Sequence, residues 1–325
     1  MAITTTFFYF ITLLTILSTF GRSIRLRNIE NYDHIVETSI KQILPMGMNI
    51  SQYNDFVISY WTPERRASAK PMDLLMVDNS SSFHTINYSP RTMNDKSTPI
   101  QMIVPGVPSR SLKAAAPSVI GKLYIRKGTS TYVCSGSVIA SFNGDTLLTA
   151  GHCVWDSDKQ TWASDLMFVP AYSDGSEPYG PWVWRTVAAM QGWTQNQDFN
   201  YDVAVVLVAT TREREHIQDL TGSLGMTRNL PQEAHTDAYG YPLNIHRGEE
   251  LASCSDEATA ANIPDFNGMR LPCNMTGGSS GGPWTQNNDQ QTSVNSFGIV
   301  GLDDVMFGPY FGDAVWNLWN QYQDQ

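Results

Sequence analysis

The chain has 325 residues, 42% of them hydrophobic and 16% charged, with a formal net charge of −10. That hydrophobic content is enough for a packed core and excludes a wholly disordered chain. The acidic balance excludes a nucleic-acid footprint, which needs clustered Lys and Arg to neutralise phosphates.

Residues 2–19 carry no charge, and Phe7 to Leu17 form an apolar run followed by Arg22, Arg25 and Arg27. A membrane span wants about 20 apolar residues, so this run is short and Thr-rich for one. It fits the apolar stretch of a secretory signal peptide over residues 1–21, with the small residue Gly21 near the cut. The expectation is a secreted, extracellular protein without stable membrane insertion. Four cysteines, Cys134, Cys153, Cys254 and Cys273, agree with that. An even number in an exported chain predicts two disulfides, in any of three pairings. The absence of a Cys-x-x-Cys pair argues against a zinc site.

Residues 22–113 contain no cysteine and carry 11 basic and 8 acidic groups, whereas residues 114–325 carry 10 basic and 23 acidic groups. Between them, Val104 to Pro117 holds Pro105, Gly106, Pro108 and Pro117, a composition suited to an exposed linker, with Arg110 and Lys113 as cleavage points. Residues 22–113 therefore read as a pro-region. Opposite charge on the two parts predicts that it docks on the acidic part, most firmly at low salt, as an inhibitor or folding aid. It also holds three glycosylation sequons, at Asn49, Asn79 and Asn87.

Residues 114–325 read as all-β. Short β-rich runs recur at Val119–Ile125, Thr131–Ile139, Leu147–Ala150, Val203–Val208 and Ser293–Leu302, punctuated by Gly and Pro. A C-terminal helix is predicted, capped by Asp313, with Val315, Leu318, Trp319 and Tyr322 on one face.

Three sites in this part carry chemistry. Leu147–Cys153 is an apolar strand ending in small residues that presents His152 beside a cysteine. Asp202 heads the apolar run Val203–Val208, where a carboxylate can be held rigidly against an imidazole. Asp198 is the competitor, but no apolar run follows it directly. Gly277–Trp284 is a glycine-dense loop around Ser280. A nucleophilic serine in a tight turn needs neighbours without Cβ, and the N–H groups of Gly278 and Ser280 can converge on a developing oxyanion. Gly278-x-Ser280-x-Gly282 also fits the elbow of α/β-hydrolases, but those place their histidine after the serine, and the last histidine here is His246. The base must therefore lie upstream.

Taken in this order, Thr149-Ala-Gly-His-Cys153, Asp202-Val-Ala-Val-Val and Gly278-Ser-Ser-Gly-Gly-Pro283 resemble the histidine, acid and nucleophile motifs of trypsin-like serine proteases. Cys134-Ser-Gly-Ser-Val-Ile139 resembles the strand before the histidine, and Asn295–Gly298 the strand that holds substrate backbone. The resemblance covers residues 114–325. It implies two six-stranded antiparallel β-barrels with a C-terminal helix, and peptide-bond hydrolysis by His152, Asp202 and Ser280 without metal or cofactor. It pairs Cys134 with Cys153 and Cys254 with Cys273. It places Asn274 at the base of the specificity pocket, with Thr276, Asn295, Ser296 and Gly298 as further substrate contacts. A neutral pocket base disfavours Lys or Arg, and the Thr, Asn and Ser groups offer donors for Glu. Many relatives carry Asp before the nucleophile to bind a new N-terminus; Ser279 stands there, as in the glutamyl-endopeptidase-like branch of bacteria and fungi. The partners implied are protein or peptide substrates. The rival reading is a secreted binding protein of the same fold that has lost catalysis; all three catalytic residue types argue against it.

Overall fold

The computed structural model describes residues 32–45, 47–76, 100–108 and 117–325. The apolar leader and the sequons at Asn79 and Asn87 lie outside these residues. No described helix is long and apolar enough to cross a membrane.

The first sheet closes on itself. Six of its eight strands form a closed antiparallel barrel in the order Trp182–Met190, Ser164–Pro170, Ile120–Lys127, Ser130–Val138, Thr146–Thr149 and Ala204–Val208, and the last returns to pair with the first. Ala204–Val208 is buried along its whole length, which explains its unbroken apolar run. The helix Asp313–Tyr322 packs against it through Val315, Leu318, Trp319 and Tyr322, the face expected from the sequence. Its cap differs from expectation. Gly312 is the N-cap, and Asp313 is the first helical residue, paired with Arg228 and accepting from Asn229.

The second sheet is an open path of ten strands. The single run expected at Ser293–Leu302 is divided among Gln290–Val294, Phe297–Ile299 and Leu302–Gly308. A turn at Gly301, where φ is 92°, separates the last two. The closed barrel, second sheet and C-terminal helix are the architecture the resemblance implied, except that the second sheet is an open path rather than a second six-stranded antiparallel barrel. The disulfides Cys134–Cys153 and Cys254–Cys273 are those it implied.

Four short segments before residue 114 are built into these sheets, among them Lys70–Pro71 and Leu75–Met76. Met102–Val104 pairs with Gly225–Arg228, and Val107 bridges Ser223. The first residues of the expected linker are therefore sheet, and only 109–116 of that stretch lies outside the described residues. Further upstream, Ile35–Ser39 lies antiparallel along Trp182–Met190. Ile40, Tyr53, Val57 and Trp61 are all buried in the same core as the barrel. Tyr53 and Trp61 dock on a bulge at Ser164/Met167, where Asp165 takes a positive φ of 52°. Tyr53 OH donates to Asp165 Oδ1 (3.0 Å), and Trp61 Nε1 donates to the Asp165 carbonyl (2.6 Å).

Charge has a small share in this docking. Arg66 pairs with Glu177 in the expected sense, but Asp55 pairs with Arg212 in the opposite one. Burial of one such side chain is worth about 1.5–3 kcal/mol, whereas an exposed ion pair contributes about 0–1. In a Ser280→Ala background, Trp61→Ala is expected to cost about 3–5 kcal/mol in urea unfolding. Salt is expected to shift the midpoint of the unmutated chain far less than this substitution does.

Candidate active site

Strand Thr146–Thr149 ends at Ala150, and the chain turns into the short helix Gly151–Val154, which carries His152. Gly151 is needed at the turn, because a Cβ there would lie 2.7 Å from the Trp193 ring and 3.1 Å from Asp202 Oδ1. Asp202 follows the turn Phe199–Tyr201, just before Ala204–Val208, and is fully buried. Its Oδ1 accepts from His152 N (2.7 Å), and its Oδ2 meets His152 Nδ1 (2.8 Å). Ser296 Oγ donates to the same Oδ2 at 2.5 Å. The competitor Asp198 is occupied elsewhere, accepting from Asn200 at the start of that turn, and burial raises its pKa.

Ser280 lies on a loop packed on the same turn. Ser135 N donates to the Ser280 carbonyl (2.7 Å), and a Cβ on Gly281 would strike Thr149 Oγ1. The loop is braced from several sides. Ser279 Oγ donates to the Thr276 carbonyl (2.8 Å), and Ser135 Oγ donates to the Gly278 carbonyl (2.9 Å). Asn295 Nδ2 donates to the carbonyls of Ser279 (3.0 Å) and Tyr239 (2.7 Å), while its Oδ1 accepts from Trp284 Nε1. Gly278 takes a φ of 97°, and its N–H donates to the Met72 carbonyl at 2.8 Å. Ser280 Oγ donates to the same carbonyl at 3.2 Å, and His152 Nε2 is buried with no hydrogen-bond partner among the described residues.

A family model described as Trypsin matches residues 108–305. The chain belongs to the trypsin family. Among solved structures, this trypsin-family chain is 36% identical to the thermostable serine protease AL20 from an extremophilic microorganism, at a TM-score of 0.60. That match covers 64% of this chain and 97% of the other. Protease Anisep from Arthrobacter nicotinovorans is 34% identical at a TM-score of 0.60, over 69% of this chain and 100% of that one. A Glu endopeptidase shares the fold at 20% identity, with a TM-score of 0.55, over 68% of this chain and 98% of its own. An extracellular metalloprotease of Bacillus subtilis (strain 168) is 37% identical over 78 residues, 24% of each chain, so the match spans about a quarter of that relative's length.

Within this trypsin-family site, three of the expected substrate contacts have side chains that bond within the protein. The Ser296 hydroxyl is held by the Asp202 carboxylate. Asn295 is fully buried and braces the Ser280 loop. Thr276 Oγ1 donates to Asn244 Oδ1 (2.9 Å). Asn274 is exposed, and its carbonyl accepts from Asn244 Nδ2. Gly298 does present its N–H to a backbone carbonyl, that of Leu74, at 3.0 Å. Among the described residues, Cys134, His152 and Cys153 lie close enough to suggest a metal group, but the two sulfurs are bonded to each other and so are not thiolate ligands.

Two features went unread in the sequence. Trp193 stands edge-on to His152 and continues through Phe199 to Phe297 as an aromatic wall. The nearly buried Lys127 donates from Nζ to the carbonyls of His152 (2.5 Å) and Trp155 (2.9 Å), tying down the short histidine helix. Burial pushes its pKa down to about 8, against the pull of Asp156 and Asp202. The unfolded chain holds this proton up to about pH 10.4, so from about pH 8 to 10.4 it binds more protons than the folded chain, and stability from this group rises with pH. In the Ser280→Ala background, the melting temperature of the Lys127 chain relative to Lys127→Met is expected to rise between about pH 7.5 and about pH 9.5.

Proposed function

We propose that the chain is a secreted serine endopeptidase in which His152, Asp202 and Ser280 form the catalytic triad. The observation that carries this reading is the buried Asp202 gripping both the backbone and Nδ1 of His152, against a glycine loop whose N–H already binds a peptide carbonyl. With Nδ1 engaged by the carboxylate, Nε2 is the atom free to take a proton. Ser280 Oγ attacks the scissile carbonyl carbon as its proton passes to Nε2. The N–H groups of Gly278 and Ser280 hold the oxyanion. The C–N bond breaks as His152 returns the proton to the leaving amine. Water then repeats the sequence on the acyl-enzyme and releases the acid. Asp202 holds the imidazole tautomer throughout and offsets its charge.

Residues 1–21 act as the signal and residues 22–113 as a pro-region, inhibitor or folding aid. Two disulfides suit an oxidising compartment. Ser279, hydrogen-bonded to Thr276, holds the loop without the ion pair that a new N-terminus would supply.

The pocket base at Asn274 is neutral, which disfavours Lys and Arg substrates. The donors that would favour Glu are engaged at Thr276, Asn295 and Ser296. Peptides with Glu before the scissile bond are therefore expected to be cut no faster than their Ala counterparts; a kcat/KM preference for Glu above tenfold would refute this.

A fluorophosphonate probe is expected to label Ser280 in the processed chain and to leave Ser280→Ala unlabelled. Asp202→Asn is expected to lower kcat by about 10⁴ with little change in KM, because the carboxamide stabilises the wrong tautomer. An unlabelled Ser280 in folded, processed protein would favour the binding-protein reading instead.

A further inference from the structure

The segment from Lys70 to Met76 crosses the site just described. Lys70 and Pro71 pair in parallel with Tyr132 and Val133, and Met72 N donates to the Val133 carbonyl (2.9 Å). The Met72 carbonyl takes the Gly278 N–H and the Ser280 hydroxyl. The Leu74 carbonyl takes the Gly298 N–H, and Leu75–Met76 continues in parallel with Phe297–Ile299. The Leu74 side chain packs in the aromatic cluster of Phe297, Phe307 and Phe199. Backbone bonds to a sheet edge with one side chain in a pocket are the manner in which extended peptides are recognised.

We propose that Met72–Leu74 is a built-in occupant of the substrate cleft that keeps the enzyme latent, a reading that rests on the proposed triad. It acts in two ways. Its carbonyl takes the oxyanion donor that a substrate needs. It also turns the Ser280 hydroxyl toward Met72, so the proton is directed away from His152 Nε2, which is buried and takes no hydrogen bond among the described residues. Attack on the Met72 carbonyl carbon requires that proton on Nε2, so the occupant is held without being cut. The segment is tethered immediately upstream by Trp61 and Tyr53 on Asp165, which keeps its effective concentration high. Release therefore requires undoing this docking or cutting the chain between it and the cleft.

The test uses the full-length chain. The rate of fluorophosphonate labelling at Ser280 is compared for the unmutated chain, Leu74→Asp and Met72→Pro. Leu74→Asp places a charge in the aromatic groove; Met72→Pro removes the N–H given to Val133. Both are expected to label at least tenfold faster than the unmutated chain. A synthetic peptide of residues 69–77, added to Leu74→Asp, is expected to slow labelling again and to be recovered intact. Equal rates in all three chains, each with an unchanged melting temperature, would overturn the latch and leave the triad standing. Absence of label in every form, including chain cut by limited proteolysis, would overturn the triad and the latch with it.

Discussion

The architecture turns on one fully buried carboxylate. Asp202 accepts three hydrogen bonds, two from His152 in the closed barrel and one from Ser296 in the second sheet. A charge removed from water must be paired, and breaking a buried pair costs about 3–5 kcal/mol. The two sheets are therefore fixed relative to each other at the point where the imidazole is oriented. Gly151 permits the approach, and the Trp193 ring closes the far side.

A second set of bonds does the same for the nucleophile loop. Ser135 reaches it from the barrel, and Asn295 from the second sheet. The loop is thus assembled from neutral side chains that are in place as soon as both sheets have folded. Control of such a site falls on access to the cleft rather than on building the loop, which is where the segment around Met72 lies.

The barrel strands around the chemistry were legible because their apolar runs are short and bounded: Ala204–Val208 and Thr146–Thr149 are buried on every residue. Ser164–Pro170 and Trp182–Met190 were not read, since Asp165 and Arg185 interrupt their patterns. Asp165 faces the N-terminal segment and pairs with Arg126, contacts set by chain more than a hundred residues away or across a strand. The residues proposed as the triad stood out because their local strings are constrained by turn and strand geometry. The side-chain bonds of Ser296 to Asp202 and of Asn295 to the Ser279 and Tyr239 carbonyls were not legible, because each is made to a neighbour distant in sequence. Charge composition likewise predicted an electrostatic dock for residues 22–113, and the described contacts are mainly apolar.

The strand Ile35–Ser39 covers one edge of Trp182–Met190, and the helix after it closes over the barrel core. Removing them would bare a row of unpaired amides beside an apolar floor, the surface on which sheets of separate molecules join. A cut anywhere between residues 76 and 100 consequently makes a two-chain protein, its shorter chain retained as a subunit.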